Sequence, residues 1–184
     1  KEAASIVDEK KKTLSTSRDS AETLKQIQTA SESLKSSADQ LTNTGKDSVF
    51  SKSQDEIYKA VDSFVTNYNK LIEGSAKSAS DSITKRVDTL KNMTESNQKL
   101  LSQVGITIGK DDTLTLDKDA FAKADTNRIK NLFNGSYSYA SRVSSQSSFI
   151  DSAATQEAAK ANTYTTKGTY SNTYSSGNIF NSYF

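Results

Sequence analysis

The tightest constraint on this chain is a spacing. Leu24, Ile27, Ser31, Leu34, Ala38 and Leu41 follow one another in alternate steps of three and four residues. Such steps keep side chains on one face of an α-helix and mark a seam for a partner helix. Val7, Leu14 and Ala21 extend the series upstream more thinly. The spacing therefore predicts one helix over residues 2 to about 43, stopped at Gly45. Ser and Ala in the seam make it weak alone, so it requires a partner.

The same pattern returns three times. Ile57, Val61, Phe64, Tyr68 and Leu71, widened by Val65 and Ile72, predict a second helix over about 53–73. This is the most apolar face in the chain and the expected centre of the core. Ile83, Val87, Leu90, Asn97, Leu101 and Val104 predict a third over about 77–103, with Met93 and Leu100 beside the seam. Tyr139, Val143, Gln146, Ile150, Ala153 and Glu157 keep the spacing over about 138–161. Residues 46–53 read as a polar loop.

One stretch breaks the helical period. Ile106 and Ile108 alternate on one side, then Leu114 and Leu116, around a connection of Gly109, Lys110, Asp111 and Asp112. That is a β-hairpin signature. Asp117 stands where an N-cap belongs, ahead of a short helix over 118–124. A second short helix follows over 127–133, closed by Asn134 and Gly135. A lone hairpin is marginally stable in water. Its four apolar side chains must pack on helices, with Phe121, Ile129, Leu132 and Phe133 as expected partners.

Composition fits this outline. Hydrophobic residues make up 33% of the 184 residues, less than a compact globule needs but enough for helices sharing a narrow seam. The chain has no Pro to interrupt long helices. The expected fold is mainly α, an elongated antiparallel helical bundle or coiled coil with a β-hairpin and short-helix subdomain. Residues 1–104 form the long-helix region, 105–135 the subdomain, 136–161 the last helix and 162–184 a flexible tail. In that tail Tyr164, Tyr170, Tyr174, Phe180, Tyr183 and Phe184 lack a helical period, as in segments that order on a partner.

Several function classes find no support. The chain has no His and no Cys, the commonest general base and metal ligand and the thiol nucleophile. There is no Gly-rich phosphate loop or nucleophile elbow. No catalytic residue and no cofactor is expected, and the chain does not read as an enzyme. Asp111, Asp112, Asp117 and Asp119 form an acidic cluster, but without the Gly and Glu of a calcium loop. A polar turn followed by a helix cap accounts for all four, and no metal is expected. The formal net charge of +2 is spread among intermixed signs, unlike the basic footprint of a nucleic-acid binder. Lys10, Lys11 and Lys12 read as a solvated helix face. No apolar run is long enough to span a membrane.

Two segments carry a family resemblance. AVDSFVTNYNKLIE (residues 60–73) and LLSQVGITIGKDDTLTLDKDAFAKADTNRIKNLFNG (residues 100–135) resemble the C-terminal region of the flagellar filament-capping, or hook-associated, protein family. The resemblance implies a small domain on a coiled-coil leg, with Phe64, Val65, Tyr68, Leu71, Ile106, Ile108, Leu114, Leu116, Phe121, Leu132 and Phe133 as its core and assembly residues. It implies export without a cleavable signal, an extracellular place on the bacterial flagellum, and partners among flagellin or hook-associated subunits and copies of itself. The family usually ends in a long helix paired with its N-terminal one. The last helix expected here is shorter and is followed by a Tyr-rich end. Large β-rich domains of the family have no counterpart in these residues, and Asp112 stands where the family's turn usually has Gly. The alternative is a non-flagellar exported or cell-surface helical adaptor, which Ser/Thr-rich helices with weak seams suit equally well.

Overall fold

A computed structural model describes residues 17–161 of the chain. The upstream seam of Val7 and Leu14, the lysines at 10–12 and the tail at 162–184 lie outside the described residues. Seven α-helices and one two-stranded sheet occur among the described residues. They are α1 (Ala21–Thr42), α2 (Gln54–Ser75), α3 (Asp81–Ser96), α4 (Gln98–Ser102), β1 (Ile106–Ile108), β2 (Leu114–Leu116), α5 (Lys118–Lys123), α6 (Thr126–Phe133) and α7 (Tyr139–Ala161).

The four long helices form an antiparallel bundle. Gln28 of α1 reaches Thr155 of α7 at 2.8 Å, and Ser144 of α7 reaches Asp39 of α1, so the two run in opposite directions. Asn67 of α2 donates to the Ser33 carbonyl of α1 at 3.2 Å. Ser82 of α3 lies against Glu157, and Thr94 against Tyr139, so α3 runs antiparallel to α7. No helix among the described residues is long and apolar enough to cross a membrane.

Each seam sits where its spacing places it. Leu24, Ile27, Ser31, Leu34, Ala38 and Leu41 are all buried, as are Tyr139, Val143, Gln146, Ile150, Ala153 and Glu157. The α1–α7 pairing is the most extensive among the described residues. Its helices bury many small side chains, Ser31 and Ala38 on α1 and Ala140, Ser144, Ser147, Ala154 and Ala158 on α7. Small side chains let two helix backbones come close, because interaxial distance follows side-chain size at the contact.

Helix ends depart from the expected ones. The helix that ends at Thr42 begins at Ala21 and does not run through residues 17–20, because Ser20 caps it: its Oγ accepts the Thr23 N–H at 3.1 Å. Ala21 is exposed and takes no part in the seam. Just before it, the buried Asp19 carboxylate accepts the Ala79 N–H at 2.6 Å and the Ser78 hydroxyl, pinning the chain to the α2–α3 turn. At the other end of α1, Gly45 does not act as the stop. Asn134 donates to the carbonyls of Leu41 and Asn43 at 3.0 and 2.7 Å, and the Gly135 N–H donates to Thr42 at 3.1 Å. The exposed carbonyls of α1 are thus capped by the segment that leads into α7.

Two further expectations are corrected. The loop at 46–53 contains a short 3₁₀ turn, Val49–Ser51, and Val49 is buried in the core. The third helix starts at Asp81 and divides at Asn97, whose φ of −101° and ψ of 6° leave the helical region. The Asn97 side chain donates to the Met93 carbonyl at 2.7 Å, so it competes with the backbone for its own turn. The division turns α4 toward the hairpin.

Candidate assembly surface

The hairpin unit is built around α2. Phe64 is fully buried, and its ring meets those of Phe133 and Tyr139 edge-on, at centroid distances of 5.5 and 5.9 Å. Tyr58 meets Phe121 the same way at 5.7 Å, with Lys118 Nζ over the Tyr58 ring at 5.6 Å. Edge-to-face pairs put the positive ring edge against the negative face, adding to the area they bury. Val65, Tyr68, Leu71, Ile106, Leu114, Leu132 and Phe121 are buried with them. Ile108 and Leu116 are half-buried on the same face, at opposite ends of the hairpin. These residues hold the unit together and, lying inside, present little to a partner.

The hairpin pairs Ile106 with Leu116, Thr107 with Thr115 and Ile108 with Leu114. In an antiparallel ladder alternate residues turn their N–H and C=O away from the partner strand. At Leu114 both groups meet the Asn69 side chain of α2. Leu114 N–H donates to Asn69 Oδ1 at 2.7 Å, and Asn69 Nδ2 donates to Leu114 O at 2.8 Å. One amide thus stands in for a third strand and covers a sheet edge. Below it, Gly105 has φ +80°, and a Cβ there would lie 2.8 Å from the Phe121 nitrogen. A side chain at 105 would push α5 off the hairpin.

The connection is longer by one residue than the spacing implied. Gly109 N–H donates to Thr113 O at 2.8 Å and Asp112 N–H to Gly109 O at 3.1 Å. Asp112 closes this turn at φ +64°, the conformation in which Gly is favoured and Asp tolerated. Its carboxylate is 3.0 Å from Lys91 of α3. The other acids of the cluster have separate partners. Asp111 accepts the Thr113 hydroxyl at 2.7 Å, which with the Thr113 N–H holds its carboxyl below the usual range. Asp117 caps α5 by accepting the Ala120 N–H at 2.8 Å. Asp119 lies in the first turn of α5, where negative charge suits the helix dipole.

Where the hairpin unit meets the bundle, three hydroxyls share the core. Thr94 donates to the Leu90 carbonyl at 2.9 Å and lies 2.8 Å from the Tyr139 hydroxyl. Tyr139 therefore donates to Thr94. The Tyr68 hydroxyl is buried nearby without a hydrogen bond. Burial pushes the Tyr68 phenol up to about 12, and the Asp112 charge adds to the rise. Burial likewise raises the fully enclosed Tyr139.

One cleft opens on the outside of this unit, between α4, α6 and the start of α7. Its volume is about 240 Å³, and its walls include Asn97, Leu100, Arg128, Tyr137 and Arg142, with the buried Leu132 beneath. Leu100 is 51% exposed and Tyr137 98% exposed. Arg142 Nη2 lies 3.5 Å from Asn97 Oδ1. Neither Arg128 nor Arg142 is in an ion pair among the described residues. Sequence reasoning placed Leu100 beside a seam and passed over Tyr137 and the two arginines. Their distances along the chain carry no sign that they share a cleft.

No family model matches this chain, and no curated protein and no solved structure is significantly similar to it.

Proposed function

We propose that the chain is a structural flagellar protein, hook-associated or filament-cap-like, that assembles with flagellin or hook-associated subunits and with copies of itself outside the cell. What supports this reading most is the contact between its two resembling segments. Residues 60–73 and 100–135 lie apart in sequence, yet Asn69 grips Leu114 and Phe64 packs on Phe133. The residues that carry the resemblance therefore form one packed unit. The pairing of α7 with α1 also agrees with a family whose last helix pairs with its first.

Mechanically, such a unit is a rigid head on a helical leg. Edge-to-face rings and the two hydrogen bonds of Asn69 fix the head to α2, so load on the head passes into the bundle. The test is mass spectrometry of flagella sheared from the source bacterium, with a cell-wall fraction alongside. Enrichment in the flagella is the expected result. Enrichment in the wall or the medium instead would overturn the flagellar reading in favour of a helical adaptor at the cell surface.

A further inference from the structure

We infer that the cleft between α4, α6 and α7 is a docking site for an acidic segment of a partner protein, one carrying a carboxylate beside an apolar side chain. The inference stands on the cleft's own residues and goes beyond the flagellar reading.

Three observations carry it. First, the cleft is amphipathic. Leu100 is half in solvent and Tyr137 almost wholly so, above a floor made by buried Leu132. An exposed Tyr beside Arg is the composition of an interface hot spot, because both bury large area with few rotatable bonds per contact made. Second, its charge is one-sided. Arg128 and Arg142 line it, no Asp or Glu does, and neither guanidinium has a carboxylate within ion-pair distance among the described residues. The nearest partner of Arg142 is a neutral amide at a long 3.5 Å. A guanidinium fork is matched by a carboxylate, with two parallel N–H···O bonds. Third, the walls are held. Asn97 is buried and tied to Met93, and the Ser138 hydroxyl donates within the turn before α7, to Phe133 O at 3.1 Å or Gly135 O at 2.8 Å. A cleft that does not have to be ordered on binding loses less entropy to it.

The occupant follows from these features. A basic segment would meet two like charges. A purely apolar one would leave both guanidiniums desolvated and unpaired. An acidic residue flanked by Leu or Phe satisfies both halves of the surface.

The test is an NMR titration of the isotope-labelled full chain. The probes are the blocked peptide Glu-Leu-Phe-Glu and matched peptides with Gln or Lys in place of Glu. The expected result is shifts confined to the amides around Leu100, Arg128, Tyr137 and Arg142, strongest for the Glu peptide and weakened by added salt. Arg128→Glu should weaken that binding about tenfold or more, since it reverses a recognition charge on an exposed side chain. Arg142→Gln tests the second arginine, and an unchanged melting temperature in each variant shows that the fold is intact. Equal binding of the Glu and Gln peptides, preference for Lys, or no shifts with any peptide would overturn the inference. So would concentration-dependent broadening at these amides without peptide, which would give the cleft to a second copy of the chain.

Discussion

The α1–α7 seam and the hairpin end of the bundle solve the same problem with opposite means. The seam is long and intersperses Leu, Ile and Val with Ser and Ala. Its Ser and Ala positions remove little area from water, and there stability comes from many close contacts along both helices. The hairpin end is short and concentrates its burial in Phe64, Tyr68, Phe121, Phe133 and Tyr139. The difference teaches where each region is vulnerable. A seam of small residues tolerates losing atoms and resists gaining them, whereas an aromatic cluster does the reverse.

Substitutions can break that contrast. The largest effect expected is Phe64→Ala, which removes a fully buried ring contacting two others and should destabilise by about 3–5 kcal/mol. Chemical denaturation measures it. A loss comparable to a single methyl group would mean that the aromatic cluster is not the core of its end. Asn69→Ala should cost about 2 kcal/mol, because it strands both backbone groups of Leu114. Faster amide hydrogen exchange at Leu114 should accompany it. In the seam, Ser147→Leu should destabilise by about 1–3 kcal/mol through overpacking at a fully buried position. If Ser147→Leu instead raised the melting temperature, the seam would hold unfilled space and the contrast would fail.

The smallest effects sharpen the comparison where the regions meet. Tyr139→Phe should cost about 1 kcal/mol, since its hydroxyl bonds Thr94. Tyr68→Phe should be neutral or slightly stabilising, since its hydroxyl is buried without a partner. The same phenols predict alkaline behaviour. Both are raised above the ordinary value of 10.0, Tyr68 to about 12, so the unfolded chain ionises first. Their stabilising effect is intact below pH 10 and is lost as the pH rises toward 12. Loss of the helical circular dichroism signal should fall in that window, and Tyr68→Phe should lessen it. An alkaline loss of structure that Tyr68→Phe leaves unchanged would contradict the burial of this ring.

Much of this fold was legible in advance because side-chain period is a local property. Leu24 to Leu41 alternate steps of three and four residues, and any helix built from them must present one buried face. The hairpin alternation of Ile106, Ile108, Leu114 and Leu116 is equally local, as is the cap at Asp117. The failures came where a residue's partner is distant. Gly45 looked like a helix stop, but the capping groups come from Asn134 and Gly135. Val49 sat in a polar stretch and was read as loop, although it fills the core. Asn97 carries seam spacing, but its side chain hydrogen-bonds the Met93 carbonyl where the helix divides.

By itself, then, the sequence determined which faces are apolar, that the chain is mainly helical, and that one hairpin interrupts the helices. Those follow from propensity and period within a few turns. The tertiary structure alone decided that α1 takes α7 as its main partner, that Asn69 covers the hairpin edge, and that Leu100, Tyr137, Arg128 and Arg142 share a cleft. Each depends on the register between elements, set by how all the seams close at once, and no spacing within one element encodes it.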